Sequence, residues 1–242
     1  MLVAVAVCPS PPLLVPEVAA GAAVELEPLR AACREALEVV RASAPDLLVL
    51  VGGGPETLAV GPGDHGSLAG YGVGLTVPLG PVVCGGAPVL PLSLTVGAWL
   101  LRDAGWEGPR QGLVVGETAG PEDLRRAGEE LRALPGRVAL LVLADGTACR
   151  TPGAPGALDP RAAGVDAALA RALARADPSA LTGLDAGLAA ELRLAGRAAF
   201  AVLGHAAEGG AWRSRLHHDS APYGVGYLVA SWTASPTGPS PA

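Results

Sequence analysis

The chain contains no lysine, no asparagine and no isoleucine, and its 242 residues include one phenylalanine and one methionine. All 17 basic side chains are therefore arginine. That removes Schiff-base chemistry on a lysine amine and the lysine of a Walker-type phosphate loop. The three missing residues have AT-rich codons, and Ala, Gly, Pro, Arg, Val and Leu fill the chain, as in a high-GC bacterial gene. Charge is scarce, at 17% of residues against the ~25% of ordinary soluble domains. The formal charge of -6 offers no basic surface to nucleic acid or to an anionic membrane.

Cysteine is sparse as well. Cys8, Cys33, Cys84 and Cys149 are far apart and form no CxxC pair, so they read as free thiols in a reducing compartment. Gly66–Leu101 carries no charge, but Pro78, Pro81, Pro88 and Pro91, with Gly80, Gly85 and Gly86, interrupt it. A bilayer-spanning helix needs about 20 unbroken apolar residues. Met1–Cys8 lacks the positive start of a lipoprotein leader, and Val7 is bulky where such leaders carry a small residue. A cytoplasmic protein with no membrane partner is expected.

What is present is an alternation. Short apolar runs at Leu2–Val7, Leu47–Val51, Gly112–Val115 and Val138–Leu143 read as buried strands. Between them lie helical patterns over Ala22–Ala42, with Pro28 near the first turn, and over Leu92–Arg102 and Pro121–Leu134. Asp159-Pro160 and Asp177-Pro178 read as N-caps followed by proline at N1, and further helical pieces follow near Asp185–Leu194 and Ala198–Ala206. Strands are also expected at Tyr71–Val77 and Tyr223–Trp232. This predicts a single α/β domain over residues 1–232, a mainly parallel sheet with helices on both faces, and a disordered tail at 233–242.

In such sheets ligands bind outside the carboxyl ends of the strands. Ser10, the Gly52–Pro55 stretch and Asp145–Thr147 all follow strands, so one cleft can gather them. Gly52-Gly53-Gly54 lacks the GxGxxG spacing and the acidic residue of a dinucleotide site, and reads as a tight turn in close packing. A Ser10–His–Asp145 triad lacks the GxSxG elbow, so Asp145 reads as a loop-holding carboxylate. His217-His218-Asp219 is the densest group of metal-capable side chains, although adjacent residues of an extended segment face opposite ways. His65, beside Asp64, reads as a surface residue of a glycine-rich loop, and His205 as one near a helix end. The glycines of Tyr223–Tyr227 would leave one strand face bare, for a ligand or for close packing.

Four blocks carry a resemblance. They are Cys8-Pro9-Ser10-Pro11-Pro12-Leu13-Leu14, Val49-Leu50-Val51-Gly52-Gly53-Gly54-Pro55, Ala144-Asp145-Gly146-Thr147 and Asp219-Ser220-Ala221-Pro222-Tyr223-Gly224-Val225-Gly226-Tyr227. Together, from Met1 to about Trp232, they resemble the class III extradiol dioxygenase (LigB-like) superfamily, and in particular its subunit-B-like actinobacterial branch. The resemblance implies a helix-covered α/β sheet. In catalytic members it also implies an Fe(II) held by two His and one Glu, with a further His as acid/base in catechol ring cleavage.

Carried over position by position, that site is degenerate. Ser10 stands where the first iron histidine belongs, and the Gly52–Pro55 stretch where the second belongs. Thr147-Ala148-Cys149-Arg150 holds no acid/base histidine, and no Glu follows Glu208. The expectation is a protein without a cofactor that binds a small molecule or a protein partner at the strand-end cleft. Ser10, Gly53, Gly54, Asp145, Thr147, Asp219 and Tyr223 would line it. The alternative is a metal-dependent extradiol oxidoreductase with relocated Fe(II) ligands, drawn from His65, His217, His218 and Asp219. Asp145 and Tyr223 are the candidate acid/base groups of any metal-free chemistry. Gly66–Leu101 suits a subunit interface as well as a core, and members of the resembled family often assemble as homo-oligomers.

Overall fold

The computed structural model describes residues 1–82 and 85–235. In chain order the first elements are β1 (Leu2–Cys8), α1 (Pro16–Ala19), α2 (Glu27–Ala42), β2 (Leu47–Gly54), β3 (Leu58–Val60), β4 (His65–Ser67) and β5 (Thr76–Pro78). Then come α3 (Leu92–Asp103), β6 (Arg110–Gly116), α4 (Pro121–Ala133), β7 (Val138–Leu143) and α5 (Pro160–Arg175). The chain finishes with α6 (Pro178–Thr182), α7 (Ala186–Glu191), α8 (Arg197–Ala207), β8 (Trp212–Ser220) and β9 (Tyr227–Ala234).

One sheet of seven strands, ordered β3-β6-β2-β7-β1-β9-β8, forms the centre, and β4 and β5 pair separately. Its inner strands β6, β2, β7 and β1 are parallel, whereas β3, β9 and β8 join antiparallel. The expected mainly parallel sheet is therefore a mixed one with a parallel centre. The parallel strands are buried on both faces, which is why they read as unbroken apolar runs. Ala4, Ala6, Leu48, Leu50 and Leu141 pack with α2 and α3, and Val5, Val7, Val49, Val51 and Leu140 pack with α4, α5 and α8. The period of two along each strand thus builds a core on either side.

Helix starts follow local chemistry. Asp159 accepts from the Arg161 amide at 2.9 Å at the head of α5, and Asp177 accepts from the Ser179 amide at 3.1 Å at the head of α6. Each cap is followed by proline at the first helical position, where its missing N–H costs nothing. On α2 the buried side chains include Leu29, Cys33, Leu37 and Val40. Residues 20–26 before it form a 3-10 segment, so the regular helix starts five residues later than the periodicity predicts.

Other boundaries also moved, for physical reasons. The Tyr71–Val77 strand shrinks to β5, because Ala69–Tyr71 forms a 3-10 turn closed by Gly72 at φ 80. Tyr223–Gly226 is a turn and not strand, with Gly224 at φ 76. Gly52–Gly54 belong to β2 instead of to a turn after it, because they pair in register with Val114–Gly116 of β6. The last strand continues to Ala234, since Thr233 and Ala234 pair with β8. Residues 236–242 of the expected tail lie outside the described residues, as does Cys84; Cys8, Cys33 and Cys149 are free and buried. Among the described residues no helix is long and apolar enough to cross a membrane.

Candidate functional site

The parallel centre puts the carboxyl ends of β1, β2, β6 and β7 side by side, and a cleft of about 220 Å³ opens above them. Ser10 enters it from beyond β1, Gly53 and Gly54 from β2, Glu117 from beyond β6 and Asp145 from beyond β7. Pro91, Leu92 and Ser93 at the start of α3 add a wall, and Ala195, ahead of α8, adds another.

Asp145 is fixed from one side. Its Oδ1 accepts from the Ser10 amide at 2.9 Å and its Oδ2 from the Ser10 hydroxyl at 3.4 Å. Burial pushes its carboxyl up from 3.8 to about 6, and those two hydrogen bonds oppose the rise. A carboxyl titrating there can take or give a proton near neutral pH, and carboxyls so shifted concentrate in functional clefts.

The glycine run divides its roles. A Cβ on Gly52 would lie 2.7 Å from Ser93 and Leu94, and one on Gly54 would lie 2.5 Å from Val114, so both permit close packing. A Cβ on Gly53 would meet nothing nearer than the Ala195 carbonyl at 3.6 Å. Gly53 therefore leaves room in the cleft, and its carbonyl accepts from the Ser93 hydroxyl at 2.7 Å.

Of the residues the sequence nominates, Ser10, Gly53, Gly54 and Asp145 come together. Thr147, Asp219 and Tyr223 do not line the cleft. Thr147 turns into the fold, where its amide and hydroxyl donate to Asp166 at 2.8 and 3.0 Å; Arg150 completes that group at 2.9 Å. Asp219 is exposed on the edge strand β8, paired with Leu228. The Tyr223 hydroxyl donates to Glu25 at 3.0 Å, and burial together with that carboxylate raises its pKa, which suits a fixed donor and not a base. Gly226 serves close packing, since a Cβ there would strike Asp166.

The histidines are dispersed. His65 is buried on β4 and not at the surface, because its strand pairs with β5 beneath α3. A bulge between Leu216 and His218 alters the register of β8 at the adjacent pair. His217 packs inward, with Nε2 2.8 Å from the Ser231 hydroxyl and Nδ1 3.3 Å from Glu35 on α2. His218 lies 2.7 Å from Ser220. Burial lowers the pKa of both. Among the described residues no three His, Cys, Asp or Glu side chains are grouped to hold a metal, so His65, His217 and Asp219 do not form a shared ligand set.

The cleft donors do not fit the two-imidazole, one-carboxylate iron set either. Ser10, Ser93, Asp145 and Glu117 include no imidazole, and both Asp145 oxygens already accept from Ser10. What they can do is accept hydrogen bonds from a ligand and move a proton at Asp145. Sequence reasoning missed Ser93 and Glu117. The strand-end rule applied to β6 points to Glu117, which directly follows Gly116; Ser93 carries no comparable signal.

No family model matches the chain, and no curated protein matches it. Among solved structures it is similar to the crystal structure of the uncharacterized protein JW3007 from Escherichia coli K12, with a TM-score of 0.57 and 12% identity. That similarity covers 96% of this chain and 99% of the other, and at this identity it shows the fold alone.

Proposed function

We propose that the chain is an extradiol-dioxygenase-like protein with a degenerate iron site, in which the strand-end cleft binds a small, hydrogen-bond-donating ligand. The observation that carries this reading is Asp145, latched by Ser10 and raised to about 6, sharing a cleft with Glu117 where the resembled family keeps imidazoles. A carboxyl that is partly desolvated gains most from a ligand N–H or O–H, because the bond is charge-assisted and its alternative is poor hydration. The resemblance supports the location; the chemistry of the donors supports a ligand without a metal beneath it.

Two measurements test this. Elemental analysis of freshly purified protein, with anaerobic re-addition of Fe(II) and Zn(II), is expected to find no stoichiometric metal. Ligand-observed NMR with a fragment set is expected to return amine- and hydroxyl-bearing hits that disappear in Asp145→Asn. One iron per chain that is lost in His217→Ala, with oxygen uptake on a catechol panel, would replace this reading with a ring-cleaving enzyme whose ligands have relocated.

A further inference from the structure

The cleft has a neighbour on the far side of Glu117 and Ala195. A second recess of about 640 Å³ shares Glu117 and Ala195 with the first, and its lining adds Arg193 and Arg197. Among the described residues neither guanidinium has an acidic partner; Arg197 donates to the Ala119 carbonyl at 3.4 Å. Arg150 and Arg161, by contrast, are each paired with carboxylates. Arg193 also sits at φ 50, just after α7, where helices ordinarily place glycine. An arginine is held there at some conformational cost.

The amino end of α4 lines the same recess through Gly120 and Pro121, with no side-chain cap. Glu122, in its first turn, is paired with Arg125 and does not line the recess. The two adjoining recesses are thus acidic at the Asp145 and Glu117 end and basic at the Arg193 and Arg197 end.

We infer that the adjoining recesses together take a small zwitterion, with a protonated amine at Asp145 and Glu117 and a carboxylate or phosphate at Arg193 and Arg197. This rests on the ligand-binding reading above and adds its charge polarity. The forked guanidinium matches both oxyanions, and an ammonium gains from two carboxylates in a partly desolvated recess.

Calorimetry on the full chain at pH 7.5 and low salt tests it. The probes are linear ω-amino acids of three to six carbons, 3-aminopropyl phosphate, butylamine and butyrate. At least one two-charged probe is expected to bind ten-fold or more tightly than butylamine and butyrate, and the stronger of the two oxyanions identifies the anion. Arg193→Gln with Arg197→Gln is expected to reduce that probe to the butylamine level, with unchanged circular dichroism. Butylamine binding that depends on Asp145, with no gain from a second charge, overturns the inference and leaves the ligand-binding reading standing. Full tightness in the double variant overturns it too. No Asp145-dependent binding of any probe overturns both.

Discussion

The Ser10 amide donates to Asp145 Oδ1 at 2.9 Å, so the chain leaving β1 is latched to the chain leaving its parallel neighbour β7. The latch sets the floor of the cleft and holds a carboxyl in surroundings that oppose its ionisation. The proposed ligand-binding role and stability therefore pull on the same side chain.

The first prediction concerns that conflict. Asp145 titrates near 3.8 unfolded and about 6 folded, so between those values the folded state binds more protons. Its contribution is fully present below about pH 4 and is lost as pH rises through 6. The shift corresponds to roughly 3 kcal/mol. Asp145→Asn keeps an acceptor for the Ser10 amide and removes the charge. It is expected to be more stable than the parent at pH 7.5, with the gain vanishing near pH 4, in urea unfolding followed across that range. A gain independent of pH would show that the carboxyl is not desolvated.

The glycine run supplies a steric test. Gly53→Ala puts a methyl group into open cleft, and is expected to change unfolding free energy by no more than about 0.5 kcal/mol while weakening ligand binding. Gly52→Ala and Gly54→Ala force contacts of 2.7 and 2.5 Å, and are each expected to cost about 1–3 kcal/mol. Equal costs at all three positions would mean that Gly53 is as tightly packed as its neighbours.

These positions show what the sequence reveals and what it conceals. Val138–Leu143 and Leu47–Val51 are legible because strands buried on both faces leave an unbroken apolar run. The caps Asp159 and Asp177 are legible because their partners lie two or three residues away. β8 was not legible as a strand: Arg213, Arg215 and Asp219 are exposed on an edge, so no apolar pattern marks it. Ser10 and Asp145 could be placed at strand ends, but their hydrogen bond spans 135 residues and depends on β1 and β7 being neighbours. Thr147 follows Asp145 by two residues and yet leaves the cleft, because Asp166 on α5 captures both its amide and its hydroxyl.

That capture gives a third prediction. Asp166 is buried and accepts from the Thr147 amide, the Thr147 hydroxyl and the Arg150 guanidinium. Asp166→Ala leaves all three donors without their acceptor and opens space beside Gly146 and Gly226. Removing one partner of a buried pair costs about 3–5 kcal/mol, enough to threaten folding. Asp166→Asn retains one acceptor oxygen and is expected to lose less. Equal and small losses in both, measured by urea unfolding at pH 7.5, would show that the network contributes little.

The last prediction sets His217 against Asp145. The His217 side chain is 1% exposed, between Ser231 on β9 and Glu35 on α2. Burial lowers its pKa below 6.5, Arg215 adds to that, and Glu35 opposes it. The unfolded chain therefore binds more protons as pH falls through 6.5, so this contribution is present above that value and is lost on acidification. His218 shifts in the same direction, also through burial, with Asp219 opposing. Asp145 acts with the opposite sign at slightly lower pH. In an Asp145→Asn background the opposing Asp145 slope is gone, and stability is expected to fall steadily from pH 7 to pH 5. Adding His217→Gln, which can still hydrogen-bond Ser231, is expected to flatten most of that fall. An undiminished fall would assign the acid sensitivity to His218 or to the carboxylates and not to the buried imidazole.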